Sequence, residues 1–174
     1  MKADLKVVLL GLMGAGKTAV GEELARRFGF TFSDSDRTIL AGTGKTAREI
    51  QEEADVAPLH ALEARHLLDA LSSPGPAVIG AAASVVEDER CRSALQATSV
   101  LCIWLRATPE TLARRFASGP HRPTFGDPSV FFQDQSALRS PHFEELSAVT
   151  IDVDELEVDD VVDAAEAAIR LTSF

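Results

Sequence analysis

The sequence predicts an α/β fold in three layers, a parallel sheet covered by helices on both faces. Three observations carry this prediction. Short apolar runs alternate with stretches of helical spacing along the chain. The runs are mostly apolar, as expected of strands buried on both faces. A glycine-rich turn stands directly between the first apolar run and the first helical stretch. The length of 174 residues, 45% of them hydrophobic, suits one domain with one core. The chain shows no repeat, low-complexity tract or linker, so residues 1–174 are expected to form a single unit.

The elements follow in order. Leu5–Leu10 reads as the first buried strand. Gly11–Gly16 is the turn, and Lys17–Phe28 is a helix through Val20, Leu24 and Phe28. A short strand over Phe30–Ser33 leads into Asp34 and Asp36. Three helical pieces are expected from Asp36 to Leu71. Ser72-Ser73-Pro74-Gly75-Pro76 is a break, because proline and glycine end regular structure. Ala77–Gly80 reads as the third strand, and a helix near Glu87–Gln96 precedes the fourth, Ser99–Leu105. Thr108 is the expected cap of the next helix, with Pro109 in its first turn. Ser118–Gln135 is polar, carries proline and glycine, and reads as irregular. A helix near Ser136–Leu146, a strand over Val149–Val153 and a helix over Val158–Leu171 complete the chain.

Charge bounds the partners. Lys and Arg total 17 against 27 Asp and Glu, a net charge of −10. Such a surface disfavours duplex nucleic acid, which rewards net positive charge. Only Cys91 and Cys102 occur, so a disulfide framework is not expected and a reducing compartment fits. Cys102 lies in an apolar run and reads as a core thiol. No run approaches the roughly 18 apolar residues that span a bilayer. Met1–Leu10 leads straight into the glycine turn, which leaves no room for a cleaved signal. A cytoplasmic protein with no nucleic-acid or membrane partner is the expectation.

Gly11-Leu12-Met13-Gly14-Ala15-Gly16-Lys17-Thr18 fits the phosphate-binding loop G-x-x-x-x-G-K-[ST]. It follows a strand and opens a helix, the context this motif requires. Its glycines let several backbone N–H groups turn inward toward phosphate oxygens. The helix N-terminus adds its dipole. In such loops the lysine, here Lys17, reaches the terminal phosphates, and the hydroxyl, here Thr18, ligates Mg²⁺. Gly44-Lys45-Thr46 mimics the end of the motif, but Ile39 stands where its first glycine would be. That second stretch reads as a loop and helix start.

The loop implies a nucleotide but not a reaction. The guanine-reading N-K-x-D and the D-x-x-G switch of GTPases are both missing from the sequence. Asp34 and Asp36, after the second strand, are the acids best placed to support Mg²⁺ and to face an acceptor hydroxyl. Either could instead cap the helix that follows. Arg114, Arg115 and Arg122-Pro123 form a second cationic element. Arginines between glycines and prolines suit a lid, here about residues 116–135, that closes over phosphates and excludes water. A solvated helix and loop is the plainer reading of the same residues.

Together these pieces resemble the shikimate kinase family, over nearly the whole chain. Gly11–Thr18 is close to that family's version of the loop. Phe32-Ser33-Asp34-Ser35-Asp36 looks like its F-x-D-x-D, and Arg122-Pro123 like its lid R-P. Arg139-Ser140-Pro141-His142-Phe143-Glu144-Glu145 looks like its R-x-P-x-Y-x-E run, with Phe for Tyr. The resemblance implies a phosphate-loop kinase fold with a five-stranded parallel sheet and an arginine-bearing lid. It implies ATP and Mg²⁺ as cofactors and γ-phosphoryl transfer to a hydroxyl of shikimate. Carried over by position, Gly11, Gly14, Ala15, Gly16, Lys17 and Thr18 hold phosphates. Thr18 and Asp34 serve the metal, and Arg115 lies against the adenine. Lys17, Asp36 and Arg122 are the catalytic set, with Asp36 also holding the acceptor hydroxyl. Arg139 grips the acceptor's carboxylate, with the helices of residues 36–72 and Ala82 lining the acceptor. A monomer is expected.

Two departures fall in the acceptor half. The family's F-R-x-x-E aligns with Leu59-His60-Ala61-Leu62-Glu63, so its carboxylate-binding arginine is His60 here. Its G-G-G after the third strand aligns with Ala81-Ala82-Ala83. A histidine cannot reproduce the two-toothed grip of a guanidinium. Alanine at a position needing positive φ would cost about 1 to 2 kcal/mol, and three added methyl groups narrow a pocket. The leading expectation is an ATP-dependent small-molecule kinase of shikimate or a related cyclic or polyol acceptor. The alternative is a nucleotide-binding regulatory or interaction protein that has lost transfer activity. A nucleoside monophosphate kinase is the third reading, without a base-reading signature to support it.

Overall fold

Lys6–Leu10 (β1) is central in the sheet because every one of its residues is buried. The structure is a computed structural model that describes residues 4–54, 56–117 and 126–172. Four further strands join β1: Thr31–Asp34 (β2), Ala77–Gly80 (β3), Val100–Arg106 (β4) and Val149–Asp152 (β5). Their order is β2-β3-β1-β4-β5, and every pairing is parallel. Leu9 therefore stands between Gly80 on one side and Ile103 on the other. Parallel pairing needs crossovers, and helices supply them.

The helices are Lys17–Phe28 (α1), Ser35–Thr43 (α2), Ala47–Ala54 (α3), Val56–Ser72 (α4), Glu89–Leu95 (α5), Pro109–Ala117 (α6), Pro128–Leu146 (α7) and Val158–Thr172 (α8). α1 and α8 pack together, α1 against β3 and α8 against β4 and β5. α5 and α7 lie against β4, and α4 packs on α5. Trp104 of β4 and Phe143 of α7 meet with ring centroids 5.7 Å apart. A small separate core of Ile39, Ile50 and Leu59 ties α2, α3 and α4 into one unit. Cys102 is buried, as expected, and burial pushes its thiol up to about 12.

Two local features follow from sequence chemistry. Gly44 ends α2 with φ 72°, and Thr46 and Glu49 then form a reciprocal capping pair, Glu49 N donating to Thr46 Oγ1 at 3.2 Å. The Gly44-Lys45-Thr46 stretch is a loop and helix start, as read. Lys6 is a buried charge, and its Nζ donates to the carbonyls of Ser73 (2.6 Å) and Gly75. It ties the break before β3 to the foot of β1.

One expectation is met and one is corrected. The helix expected near Glu87–Gln96 is α5, preceded by a 3-10 turn over Ala83–Glu87 and capped by Asp88, which accepts from Arg90 N at 2.8 Å. The stretch read as irregular up to Gln135 is helical from Pro128 onward. Asp127 caps it, accepting from Ser129 N at 2.9 Å, and Pro128 occupies the first turn, where its missing N–H costs nothing. The expected lid, about 116–135, thus runs from the end of α6 into α7, and its centre lies outside the described residues. No helix among the described residues is long and apolar enough to cross a membrane.

Candidate active site

The glycine turn connects β1 to α1. Gly11 has φ 143°, and a Cβ there would stand 2.6 Å from the Leu105 carbonyl oxygen of β4. Only glycine lets the chain turn this close to the neighbouring strand. Gly16 caps α1 with φ 96° and offers no side-chain acceptor. The first-turn N–H groups of α1 therefore have no side-chain cap and line an anion site. Lys17 Nζ donates to the carbonyls of Gly11 (2.7 Å) and Leu12 (3.0 Å), which holds the ammonium over the loop. Gly14 (φ 88°) and the buried Ala15 complete the concavity.

Thr18 and Asp34 meet beside it. Thr18 Oγ1 donates to Asp34 Oδ2 at 2.9 Å. Asp34 Oδ1 accepts from Arg37 N at 3.2 Å and so also caps α2. Of the two roles weighed for this aspartate, the helix cap is present in the structure. Asp36 follows in the first turn of α2 and is exposed. Behind the pair, Ser33 Oγ and His66 Nε2 are 2.8 Å apart, with His66 buried in α4. Burial pushes the His66 ring down, so it is neutral near pH 7.

The opposite wall brings His60 and Glu63 of α4 toward Glu87 and Arg139. Glu63 is buried, and Ser84 Oγ donates to its Oε2. Burial pushes Glu63 up to about 7, aided by Asp36 and opposed by Ser84, Arg139 and Lys17. Arg139 of α7 has a side chain only 12% exposed; its Nε donates to Glu87 Oε1 at 2.7 Å, and its Nη2 lies 2.7 Å from the same oxygen in an ion pair. His60 is half-buried, and desolvation lowers its pKa; Glu87 raises it and Arg139 lowers it further. Sequence reading missed Glu63, Ser84 and Glu87 as site residues. Glu63 did carry a signal: it stands at the E of the F-R-x-x-E run, three positions after His60 on the same helix face. Glu87 carried none, because its partner is 52 residues away.

Ala82 stands at the turn after β3, with φ −63° and ψ 148°. This is ordinary extended backbone, so the strain expected from a positive φ does not arise there. Ala81 is buried and Ala83 begins the 3-10 turn. On the other side of the loop, Arg115 of α6 donates to the carbonyls of Val153 (2.8 Å) and Gly14 (3.3 Å). It lines an open cleft of about 420 Å³ with Gly14, Gly16, Leu156 and Val158. Arg122 lies outside the described residues.

The donor set fits a nucleotide with a divalent cation. Backbone N–H groups, a helix N-terminus and Lys17 answer polyphosphate charge. No group of three or more His, Cys, Asp or Glu able to hold a metal occurs among the described residues. One hydroxyl and one carboxylate, Thr18 and Asp34, suit Mg²⁺, which keeps several waters and is shared with substrate phosphates.

Comparison with known proteins agrees with this geometry. Residues 13–170 match the family model "Shikimate kinase". The chain is 35% identical over 162 residues to the shikimate kinase of Symbiobacterium thermophilum, covering 91% of this chain and 92% of that protein. It is 36% identical over 149 residues to that of Thiobacillus denitrificans, covering 83% and 79%. Among solved structures, the shikimate kinase of Acinetobacter baumannii in complex with shikimate superposes with a TM-score of 0.89, at 25% identity, covering 98% of this chain and 95% of that one. With its five-stranded parallel sheet and its phosphate loop between β1 and α1, the chain belongs to the shikimate kinase family of ATP-dependent small-molecule kinases.

Proposed function

We propose that the protein transfers the γ-phosphoryl group of ATP to a ring hydroxyl of shikimate or a closely related cyclic acceptor, with Mg²⁺ held at Thr18 and Asp34. One observation supports the reading: Asp34 accepts from Thr18 of the phosphate loop and caps α2, the helix that carries Asp36. The nucleotide side and the helix expected to hold the acceptor hydroxyl are thus tied together, as direct transfer requires. A protein that only bound nucleotide would need no such link.

In this reading Lys17 neutralises charge on the terminal phosphates. The Asp36 carboxylate, exposed at the mouth of the site, orients the acceptor hydroxyl and takes its proton. Arg115 packs against the base, and Arg122 meets the transferring phosphoryl group. Phosphoryl transfer asks mainly for positioning and charge stabilisation, which this set can supply. A second reading, nucleotide binding without transfer, is favoured by His60 standing in the place of the family's arginine.

The test is a coupled assay of ATP turnover against shikimate, neutral polyols and nucleoside monophosphates, with Mg²⁺ varied. Turnover that depends on a hydroxylated ring and on Mg²⁺ is expected. ATP binding without turnover on any acceptor would leave the second reading standing.

A further inference from the structure

His66 is a buried polar side chain to which the reaction described above gives no role. His60, Glu63 and His66 recur every three residues and run along one side of α4. Glu63 is tied to Ser84 in the 3-10 turn after β3. His66 is tied through Nε2 to Ser33 Oγ of β2, at 2.8 Å, and Ser33 directly precedes Asp34. α4 itself packs on α2, α3, α5 and the 3-10 turn. The bond from His66 therefore joins the helix that carries His60 and Glu63 to the strand end that carries Asp34. Packing alone would not select a histidine here. Its Nδ1 is buried with no hydrogen-bond partner among the described residues. A buried polar nitrogen left unpaired lowers stability, whereas apolar groups of the same shape in place of both partners are close to neutral or stabilising.

We propose that His66 is a positioning residue for phosphoryl transfer: by holding Ser33, it fixes the acceptor-side helix α4 against the end of β2, and so sets the acceptor relative to Asp34 and the terminal phosphate. His66 is buried, so it acts through Ser33 and not by touching a substrate. Thr18 and the Arg37 N–H hold the Asp34 carboxylate itself, and His66 holds the helix that faces it. Transfer is sensitive to such spacing, since a misplacement of about 1 Å can cost about 10²-fold in rate. The inference rests on the phosphoryl-transfer reading above and adds a residue to it.

Steady-state kinetics with ATP and shikimate, run beside thermal melts, test it in Ser33→Ala, His66→Leu, the double variant and His66→Gln. Leucine is close to histidine in size, and the glutamine amide can bond near the place of Nε2. The double variant is expected to melt at or above the wild-type temperature, because it removes both polar partners together. Its kcat is expected to fall about tenfold while KM for ATP and for shikimate is kept, the mark of an interaction felt in the transition state alone. Ser33→Ala alone is expected to show the same fall, since the two residues act as one unit. His66→Gln is expected to keep most of the wild-type kcat. A double variant with wild-type kcat overturns the proposal, as does a loss that appears in KM or one that glutamine does not reduce. A kcat that falls only together with the melting temperature marks a structural role and overturns it too. If His66→Leu does not fold, Ser33→Ala decides by the same outcomes. A wild type that binds ATP but does not phosphorylate shikimate overturns the shikimate reading, and the inference with it.

Discussion

Thr18 and Asp34 lie at the start of α1 and the end of β2, and a 2.9 Å hydrogen bond joins the hydroxyl of one to the carboxylate of the other. The second oxygen of Asp34 caps α2. One carboxylate thus links the phosphate loop to the helix that carries Asp36.

Lys17→Ala is expected to weaken ATP binding by at least about tenfold, the loss of one or more charge-assisted bonds to phosphate. The lysine is not a core residue, and its Nζ donates to two carbonyls of its own loop. The melting temperature is expected to stay near wild type. Titration calorimetry and a thermal melt check both parts, and unchanged ATP affinity would remove the loop from the mechanism.

Asp36→Asn is expected to lower kcat by about 10²- to 10⁴-fold, the usual contribution of a general base. ATP affinity is expected to be kept, because Asp36 sits in the first turn of α2, off the phosphate loop. Near-wild-type turnover would reduce Asp36 to a helix-terminus charge.

His60→Arg is expected to raise kcat/KM on shikimate about tenfold, since a guanidinium adds a bond of charge-assisted strength. The new cation would also face Glu63 and favour its ionised form. Changing Ala81, Ala82 and Ala83 to glycine relieves no backbone strain at Ala82, where φ is −63°. Any further gain from the triple change would report space alone. A combined variant with no gain over wild type would show that these positions do not govern the acceptor.

Glu63→Gln is expected to stabilise the fold at high pH. Glu63 is raised from an ordinary 4.5 to about 7 by burial. The folded state then holds a proton that the unfolded state gives up between these values. Wild-type stability therefore falls as pH rises through that window, and the cost is complete above 7 and absent below 4.5. The amide carries no such cost, so its advantage should grow by about 2 kcal/mol between pH 5 and pH 8. Denaturant melts at the two pH values measure it, and an advantage independent of pH would show that Glu63 is not buried as a carboxylic acid.

Much of this was legible in the sequence, because much of it is local. Gly11–Thr18 states its loop within eight residues, and the five apolar runs state their strands. The start of α7 was not read, although Asp127-Pro128 is a cap followed by a first-turn proline. Val130 and Leu138 are exposed, so the helix shows no clean apolar stripe, and Pro141 interrupts its pattern. The acceptor wall was half legible. His60 and Arg139 could be placed by resemblance, but the ion pair with Glu87 crosses 52 positions. Its chemistry belongs to the packing of α7 against the turn after β3. The untroubled backbone of Ala82 was hidden for the same reason, since φ depends on how that turn is held.

The contact between Gly11 and the Leu105 carbonyl orders events during synthesis. The phosphate-loop motif leaves the ribosome before β4, yet the wall it leans on is the end of β4, and β1 pairs with β4 through Leu10 and Trp104. A nascent chain that stops short of β4 carries the whole motif and lacks the strand that shapes it. The loop is thus made ahead of the strand that completes it. A fragment ending at Thr98 should expose the motif to solvent without binding ATP, so partly made chains would not draw on the nucleotide pool.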